Sequence, residues 1–150
     1  MAITKEEVAE AVRAWCAAWH ARDIQTIIAM EARAGGFGIR ALARRDHAAL
    51  GDEGYWWQRI ERFFGQMDTY RVELEDLQTS VTGDIGLAGG VFIEEFQEKG
   101  RPPERARVRF SMVLTKGARG WQVLLYHKDI QPFNDEGAYP RALTVVSPAT

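Results

Sequence analysis

The sequence is poor in the features that mark several classes of protein. Its 150 residues contain a single cysteine, Cys16, so no disulfide can form within the chain. Lys and Arg number 19 against 21 Asp and Glu, and the net charge of −2 argues against the basic surface that nucleic-acid binding needs. No apolar run is long enough to cross a bilayer, and the N-terminal segment MAITKEEVAE lacks the apolar part of a signal peptide. We therefore expect a cytoplasmic protein that binds neither nucleic acid nor membranes.

Aromatic residues are the class in which the sequence is rich. It has five Trp, seven Phe and four Tyr, while hydrophobic residues make up 46% and charged residues 27% of the chain. This balance is typical of a globular domain, and so much ring surface suits a thick core, an apolar cavity or both. We predict one domain over residues 1–133 and a C-terminal tail over 134–150.

The first half of the chain has helical periodicity. Thr4 and Glu7 form the pattern of a capping box, and the apolar residues that follow recur every three or four positions. This apolar stripe ends in Trp15 and Trp19, which either join the core or line a cavity. Asp23 is a candidate N-cap for a second, shorter helix, and a third amphipathic helix, with Arg59 on its polar face, is predicted before the strands.

The second half alternates between apolar and polar residues, which is the pattern of β-strands. The predicted strands are Tyr70 to Val81, Ile85 to Gln97, Ala106 to Thr115 and Trp121 to Gln131. Between Leu74 and Leu77 the alternation slips by one residue, which predicts a β-bulge near Glu75. Because short turns join consecutive strands, we predict an antiparallel meander and an α+β fold.

The last two strands differ in how their faces alternate. The third strand has one clear apolar row that must face a core or a cavity: Val108, Phe110, Met112 and Leu114. In the last strand two opposite rows are apolar in the middle. One is Trp121, Val123, Leu125, His127 and Asp129; the other is Gln122, Leu124, Tyr126, Lys128 and Ile130. Both faces of the sheet are therefore predicted to be covered, one by the helices and the other by a second copy in a homodimer.

The order of these elements resembles the NTF2-like superfamily, in particular its SnoaL-like branch. The third strand carries Arg109-Phe110-Ser111 where that branch often has an Arg-x-Thr element, and a hairpin, Trp121 and His127 follow. The segment TGDIGLAGG resembles the family's Gly-Asp turn and the small residues after it. The resemblance implies a cone-shaped half-barrel, in which three N-terminal helices pack on a curved antiparallel sheet and enclose a mostly apolar cavity.

The superfamily includes ketosteroid isomerases, dehydratases, epoxide hydrolases, polyketide cyclases and domains that only bind or assemble, so the fold leaves the function open. The ketosteroid isomerase pattern places Trp15, Ile39 and Met112 at the positions of its tyrosine, its base and its second acid. These side chains cannot move protons in that way, so we do not expect that isomerase chemistry.

A second comparison, with the association domain of calcium/calmodulin-dependent kinases, implies that Phe37, Arg71, Met112 and Lys128 face the cavity. Arg71 and Lys128 would suit a small anion through charge-assisted hydrogen bonds, although Arg71 also fits a solvated polar row. Together with the aromatic residues, the predicted ligand-binding set is Trp15, Trp19, Phe37, Arg71, Phe110, Met112, Tyr126 and Lys128.

His127 and Asp129 are two residues apart on the last strand, so their side chains leave the same face. If that face lines the cavity, Asp129 would orient His127 as a general base. If it is the outer face, the pair and Arg109 belong to the dimer interface, which is the interpretation that the family comparisons favour. A metal site would need a third ligand, and neither His20 nor His47 has a suitable spacing, so we predict no metal and no cofactor.

The sequence thus predicts a small-molecule-binding protein of the SnoaL-like type, with an apolar pocket and no identifiable catalytic set. One alternative is an acid–base enzyme, an isomerase, dehydratase or hydrolase of a small hydrophobic substrate, with His127 and Asp129 as its catalytic residues. Another is an oligomerisation module whose cavity is filled by its own rings.

Overall fold

Three helices precede an antiparallel sheet along the chain, as the sequence predicts. The computed structural model describes residues 2–31, 39–40 and 53–132. Its elements are α1 (Lys5–His20), α2 (Ile24–Glu31), β1 (Ile39–Arg40), α3 (Glu53–Gly65), β2 (Met67–Thr82), β3 (Ile85–Glu98), β4 (Glu104–Gly117) and β5 (Gly120–Pro132). The predicted α+β fold is confirmed. Phe37, His47 and the predicted tail over 134–150 lie outside the described residues.

Local hydrogen bonds explain where the first two helices begin. The Glu7 N–H donates to Thr4 Oγ1 (3.1 Å) and the Thr4 N–H donates to Glu7 Oε2 (2.8 Å), which confirms the capping box. At α2, the Thr26 N–H donates to Asp23 Oδ1 (3.1 Å), so the second cap is confirmed as well. None of the described helices combines the length and the hydrophobicity needed to span a membrane.

The sheet has the strand order β1-β5-β4-β3-β2. Strands β2 to β5 form the predicted antiparallel meander, and the short β1 joins β5 in the parallel direction. Helix α1 packs closely on one side of this sheet, which we call the inner face. A Cβ atom built on Gly86 of β3 would lie 2.6 Å from Val8 Cγ2, so glycine permits this close approach. The opposite side is called the outer face.

The core lies between the inner face and the helices. The apolar row that the sequence predicts for β4 is buried there, and each of its members is 5% exposed or less: Val108, Phe110, Met112 and Leu114. The apolar stripe of α1 is buried as well, through Val8, Val12 and Trp15, and Trp15 packs against Phe110 of the β4 row with a centroid distance of 6.2 Å. Burial of apolar surface on both elements stabilises the fold.

The predicted bulge in β2 is confirmed. The pairing of β2 with β3 shifts between Leu74 and Asp76, so Glu75 is the extra residue. Gly90 of β3 lies across from this point, and a Cβ atom there would be only 2.1 Å from the Asp76 carbonyl oxygen. The glycine is therefore required for β2 to bend at the bulge.

A second bulge, in β5, corrects one prediction. Val113 pairs with Leu125 but Leu114 pairs with Val123, so Leu124 is the extra residue. The predicted row is therefore split at this point. Trp121 packs against the core and Val123 is buried on the inner face, not on the outer face as the unbroken alternation predicts. The residues after Leu124 keep the arrangement that the family comparisons imply.

Candidate functional site

A cavity of about 260 Å³ lies between α1, α3 and the inner face. Its walls are mostly rings, contributed by Trp15, Trp19, Phe63, Tyr70, Phe92 and Tyr126. Ile60, Val72 and Ile130 add aliphatic surface, and three charged residues complete the lining: Arg59, Glu94 and Lys128. An apolar chamber with a few polar groups is the usual form of a small-molecule site.

Two tryptophans of α1 are held in place by one carboxylate of α2. The Trp15 Nε1–H donates to Glu31 Oε1 at 2.7 Å, and the Trp19 Nε1–H donates to the same oxygen at 3.4 Å. The ring centroids of Trp15 and Tyr126 lie 5.1 Å apart, in a tilted arrangement. Because buried indole N–H groups need a partner, Glu31 fixes both rings and leaves their carbon surfaces to line the cavity.

Glu94 is the polar centre of the cavity. Within the described residues it is the one charged residue in the buried class, with 8% of its surface exposed. The Tyr70 hydroxyl donates to Glu94 Oε1 at 3.4 Å, and Lys128 Nζ lies 3.9 Å from the same oxygen. Val72 pairs with Glu94 across β2 and β3, so Tyr70 reaches the carboxylate from the neighbouring strand. Lys128 reaches it from β5, across β4.

The environment of Tyr70 keeps its hydroxyl protonated. Burial raises the pKa of this phenol far above its usual value, and the negative charge of Glu94 raises it further. The rings of Phe63 and Phe64 pack on it, each with a centroid distance of 5.5 Å. Tyr70 is therefore a hydrogen-bond donor to Glu94 and cannot serve as a base at ordinary pH.

Seven of the eight predicted ligand-binding residues are among the described residues, and these seven fall into three groups. Trp15, Trp19, Tyr126 and Lys128 line the cavity. Phe110 and Met112 are buried on the inner face, where Phe110 packs against Trp15 with a centroid distance of 6.2 Å. Arg71 is exposed and leaves β2 on the outer face, between the buried Tyr70 and Val72, and Phe37 is outside the described residues.

His127 and Asp129 lie on the outer face, where both are exposed. Asp129 Oδ2 accepts a hydrogen bond from Arg109 Nη2 at 3.0 Å, and His127 is opposite Ser111. The structure therefore places the pair on the side of the sheet that faces away from the cavity. In the part of the chain that the structure describes, no three His, Cys, Asp or Glu side chains gather as metal ligands would.

Sequence reasoning missed Glu94, Tyr70 and Arg59 as cavity residues. The helical pattern of α3 predicts Arg59 on the polar face, yet its side chain lines the cavity. A signal for Glu94 was present, because Phe92, Glu94 and Phe96 alternate along β3. A carboxylate between two aromatic residues of one row has to enter the core or a cavity with them.

Comparisons with known proteins agree with this architecture. The sequence model of the SnoaL-like domain matches residues 8–130. No curated protein matches the chain. Among solved structures, a ketosteroid isomerase-like protein from Erwinia carotovora atroseptica is 18% identical, with a TM-score of 0.64 over 84% of this chain and 95% of that one. An NTF2-like protein of unknown function from Pseudomonas putida is 21% identical, with a TM-score of 0.57 and coverages of 91% and 92%.

A third similar structure is the CaMKII hub of S. rosetta. It is 17% identical, with a TM-score of 0.59 over 87% of this chain and 98% of that one. At such identities the solved structures establish the fold, while the domain match covers most of the sequence. The chain therefore belongs to the SnoaL-like family, and it has the fold of the NTF2-like protein from Pseudomonas putida.

Proposed function

We propose that the chain binds a small, mostly apolar molecule in the cavity between α1, α3 and the inner face. The supporting observation is a space of about 260 Å³ that is walled by rings and contains the buried carboxylate of Glu94. Apolar walls supply affinity through burial of ligand surface, and a few polar groups supply orientation. The indole contacts with Glu31 keep two of the walls in place without a ligand.

The two alternatives have less support. An acid–base enzyme that used His127 and Asp129 would have to bind its substrate on the outer face, where the Asp129 carboxylate is paired with Arg109. Assembly without a ligand predicts that the rings fill the space beneath α1, whereas a cavity lies there. Ligand binding within the cavity requires neither a substrate site on the outer face nor an interior filled by rings.

A substitution that fills the cavity tests the proposed binding. Val72 lines it, so a Val72→Phe side chain would occupy part of the space that a ligand needs. The matched control is Val81→Phe, which adds the same ring to the other end of β2, at a partly exposed position. Binding is measured by the fluorescence of the neutral probe 1-aminoanthracene. We expect saturable binding to the unmodified chain and to Val81→Phe, and at least tenfold weaker binding to Val72→Phe. Equal binding to all three proteins would overturn the proposal.

We also propose that the outer face joins two copies of the chain in a homodimer. Leu87, Val113 and Leu125 face one another across β3, β4 and β5, and form an apolar row on this face. Leu87 and Leu125 are 40% and 39% exposed and lie on either side of Val113, so the three residues form one contiguous apolar patch. A two-fold axis through this row would bury both copies of it against each other.

Native mass spectrometry tests the dimer and would also reveal a small molecule that co-purifies. Leu125→Glu places a charge in the apolar row and is expected to give a folded monomer. Trp57→Glu is the matched control, because Trp57 is also 39% exposed but lies on α3. We expect that variant to remain dimeric. A monomeric unmodified chain at 50–100 µM (roughly the range in which modest interfaces associate), or a dimeric Leu125→Glu, would overturn this part.

A further inference from the structure

The ion pair in the cavity is open. Lys128 Nζ lies 3.9 Å from Glu94 Oε1, whereas a charge-assisted hydrogen bond between an ammonium and a carboxylate is about 2.7–2.9 Å long. An oxygen atom beside the pair can lie about 2.8 Å from both atoms, because 3.9 Å is less than twice that length. The pair therefore has the spacing to hold one polar oxygen of a ligand between its two charges.

Glu94 also has capacity to accept a further hydrogen bond. Within the described part of the chain, its contacts with Tyr70 and Lys128 both fall on Oε1. A carboxylate has two oxygens, and each can accept hydrogen bonds. Oε1 can therefore accept a ligand O–H in addition to the Tyr70 hydroxyl, because Lys128 at 3.9 Å is too far away for a hydrogen bond to it.

The charges around the cavity disfavour a charged ligand. Glu94 and Lys128 offset each other, with side chains that are only 10% and 18% exposed. A ligand carboxylate would lie beside the Glu94 carboxylate as well as near Lys128 and Arg59, and a ligand ammonium would lie near those same two cations. Either would lose hydration on entering an apolar space and meet a like charge there.

A hydroxyl group fits both members of the pair. It has one donor and two acceptor positions, whereas a carboxylate only accepts and an ammonium only donates. Its O–H can donate to Glu94 Oε1 while its oxygen accepts from Lys128 Nζ, across the 3.9 Å gap between the two. The rings of Trp15, Trp19 and Tyr126 then surround the apolar remainder of the same molecule.

We infer that the ligand is a neutral alcohol or phenol with an apolar body, and that its hydroxyl binds between Glu94 and Lys128. This inference rests on the proposed binding function and adds the chemical class of the ligand. It assigns Glu94 as the acceptor and Lys128 as the donor of the polar end of the site, while the aromatic walls select for shape.

Four probes with one phenylpropyl body test the class. They are 3-phenylpropanol, propylbenzene, 3-phenylpropanoate and 3-phenylpropylammonium, titrated into the unmodified chain by calorimetry at pH 7. We expect the alcohol to bind at least tenfold more tightly than each of the other three. Tighter binding of the carboxylate or the ammonium would overturn the inference, and so would equal binding of propylbenzene and the alcohol.

Two variants test the assigned residues. Glu94→Gln removes the negative charge that Glu94 places beside Lys128, so the carboxylate probe should gain at least tenfold in affinity relative to the alcohol. Lys128→Met removes the positive charge beside Glu94, so the affinity of the ammonium probe relative to the alcohol should increase by a similar factor. The matched controls are Glu95→Gln, the next residue of β3, whose carboxylate pairs with Arg105 at 3.4 Å, and Lys116→Met, which pairs with Glu7 at 3.5 Å. Neither control should change the order of the probes.

Failure of the inference and failure of the proposed function are distinguishable. If 1-aminoanthracene binds and is blocked by Val72→Phe, but the alcohol has no advantage, the cavity binds ligands and the inference is wrong. If neither this fluorophore nor any of the four probes binds, the proposed function is wrong and the inference falls with it. Circular dichroism establishes that each variant is folded. If Glu94→Gln does not fold, the order of the four probe affinities for the unmodified chain and for Lys128→Met still tests the inference.

Discussion

Lys128 and Asp129 are neighbours in β5, and their side chains lie on opposite faces of the sheet. Asp129 pairs with Arg109 at 3.0 Å on the outer face, where the two side chains are 59% and 53% exposed. Lys128 pairs with Glu94 at 3.9 Å on the inner face, where the two are 18% and 10% exposed. The shorter ion pair is therefore the one in water, and the longer one is in the cavity.

This difference shows why distance alone does not rank ion pairs. Water screens an exposed pair, so the median contribution of such a pair to stability is about 0–1 kcal/mol. In a cavity with little water the same charges interact more strongly, and each depends on the other to offset its lost hydration. The inner face is thus where a change of charge should matter, both for stability and for ligand choice.

The largest expected difference between the faces comes from packing in β4. Val108 is fully buried on the inner face, whereas Val113 is partly exposed on the outer face. Val108→Ala should lower the free energy of unfolding by about 2–3 kcal/mol, because it removes two buried methyl groups and leaves a cavity. Val113→Ala should cost less than about 1 kcal/mol in a monomer. Urea unfolding measures both.

The proposed homodimer sharpens this test. If Val113 lies in a dimer interface, its effect should increase with protein concentration, because association stabilises the folded chain by mass action. The effect of Val108→Ala should not depend on concentration in this way. Equal losses for the two variants at low concentration would contradict the distinction between the faces.

The next effect concerns the two ion pairs. Lys128→Met should destabilise the chain by about 2 kcal/mol, because Glu94 would then be a buried charge without its cation. Asp129→Asn should change the free energy of unfolding by no more than about 0.5 kcal/mol, and that change should vanish in 1 M NaCl. Urea unfolding at low and high salt distinguishes them. A larger loss for Asp129→Asn would reverse the ranking.

Much of the fold follows from the sequence because its signals are local. The capping box of Thr4 and Glu7, the Asp23 cap and the slip near Glu75 each lie within a few residues, and each is confirmed. The bulge at Leu124 has no such signal, since apolar residues on both sides of it leave the alternation unbroken. The predicted orientation of Trp121 was therefore wrong, although the strand itself was predicted correctly.

The candidate site was less predictable for a different reason. Glu94, Tyr70 and Lys128 lie on three strands, so their meeting depends on the pairing register and on the side chains that lie between them. Glu31 receives two indole N–H groups only because α2 returns alongside α1. No spacing along the chain encodes these contacts. Trp15 and Trp19 were predicted from the helical stripe of α1, and Tyr126 and Lys128 were predicted on the cavity side because the family resemblance already contains that register.

The smallest expected effect is a loss of folding stability at alkaline pH, and only buried groups should produce it. Burial raises the pKa of the Cys16 thiol on α1 to about 12, from an ordinary value of 9.0. Between these values the folded chain keeps a proton that the unfolded chain loses, so this contribution to stability is complete below pH 9 and decreases as the pH rises. The slope is at most about 1.4 kcal/mol per pH unit. We expect a loss of about 1 kcal/mol by pH 10.

Tyr70 should steepen this loss above pH 10, because its pKa is also raised and its phenol ionises only in the unfolded chain. Urea unfolding under reducing conditions, at intervals from pH 8 to 10.5, separates the two groups. Cys16→Ala should have a flat profile from pH 8 to 9.5, and Tyr70→Phe should remove the added slope above pH 10. A Cys16→Ala profile as steep as that of the unmodified chain would show that the loss of stability comes from another group. The thiol would then be less shielded from water than its buried position on α1 requires.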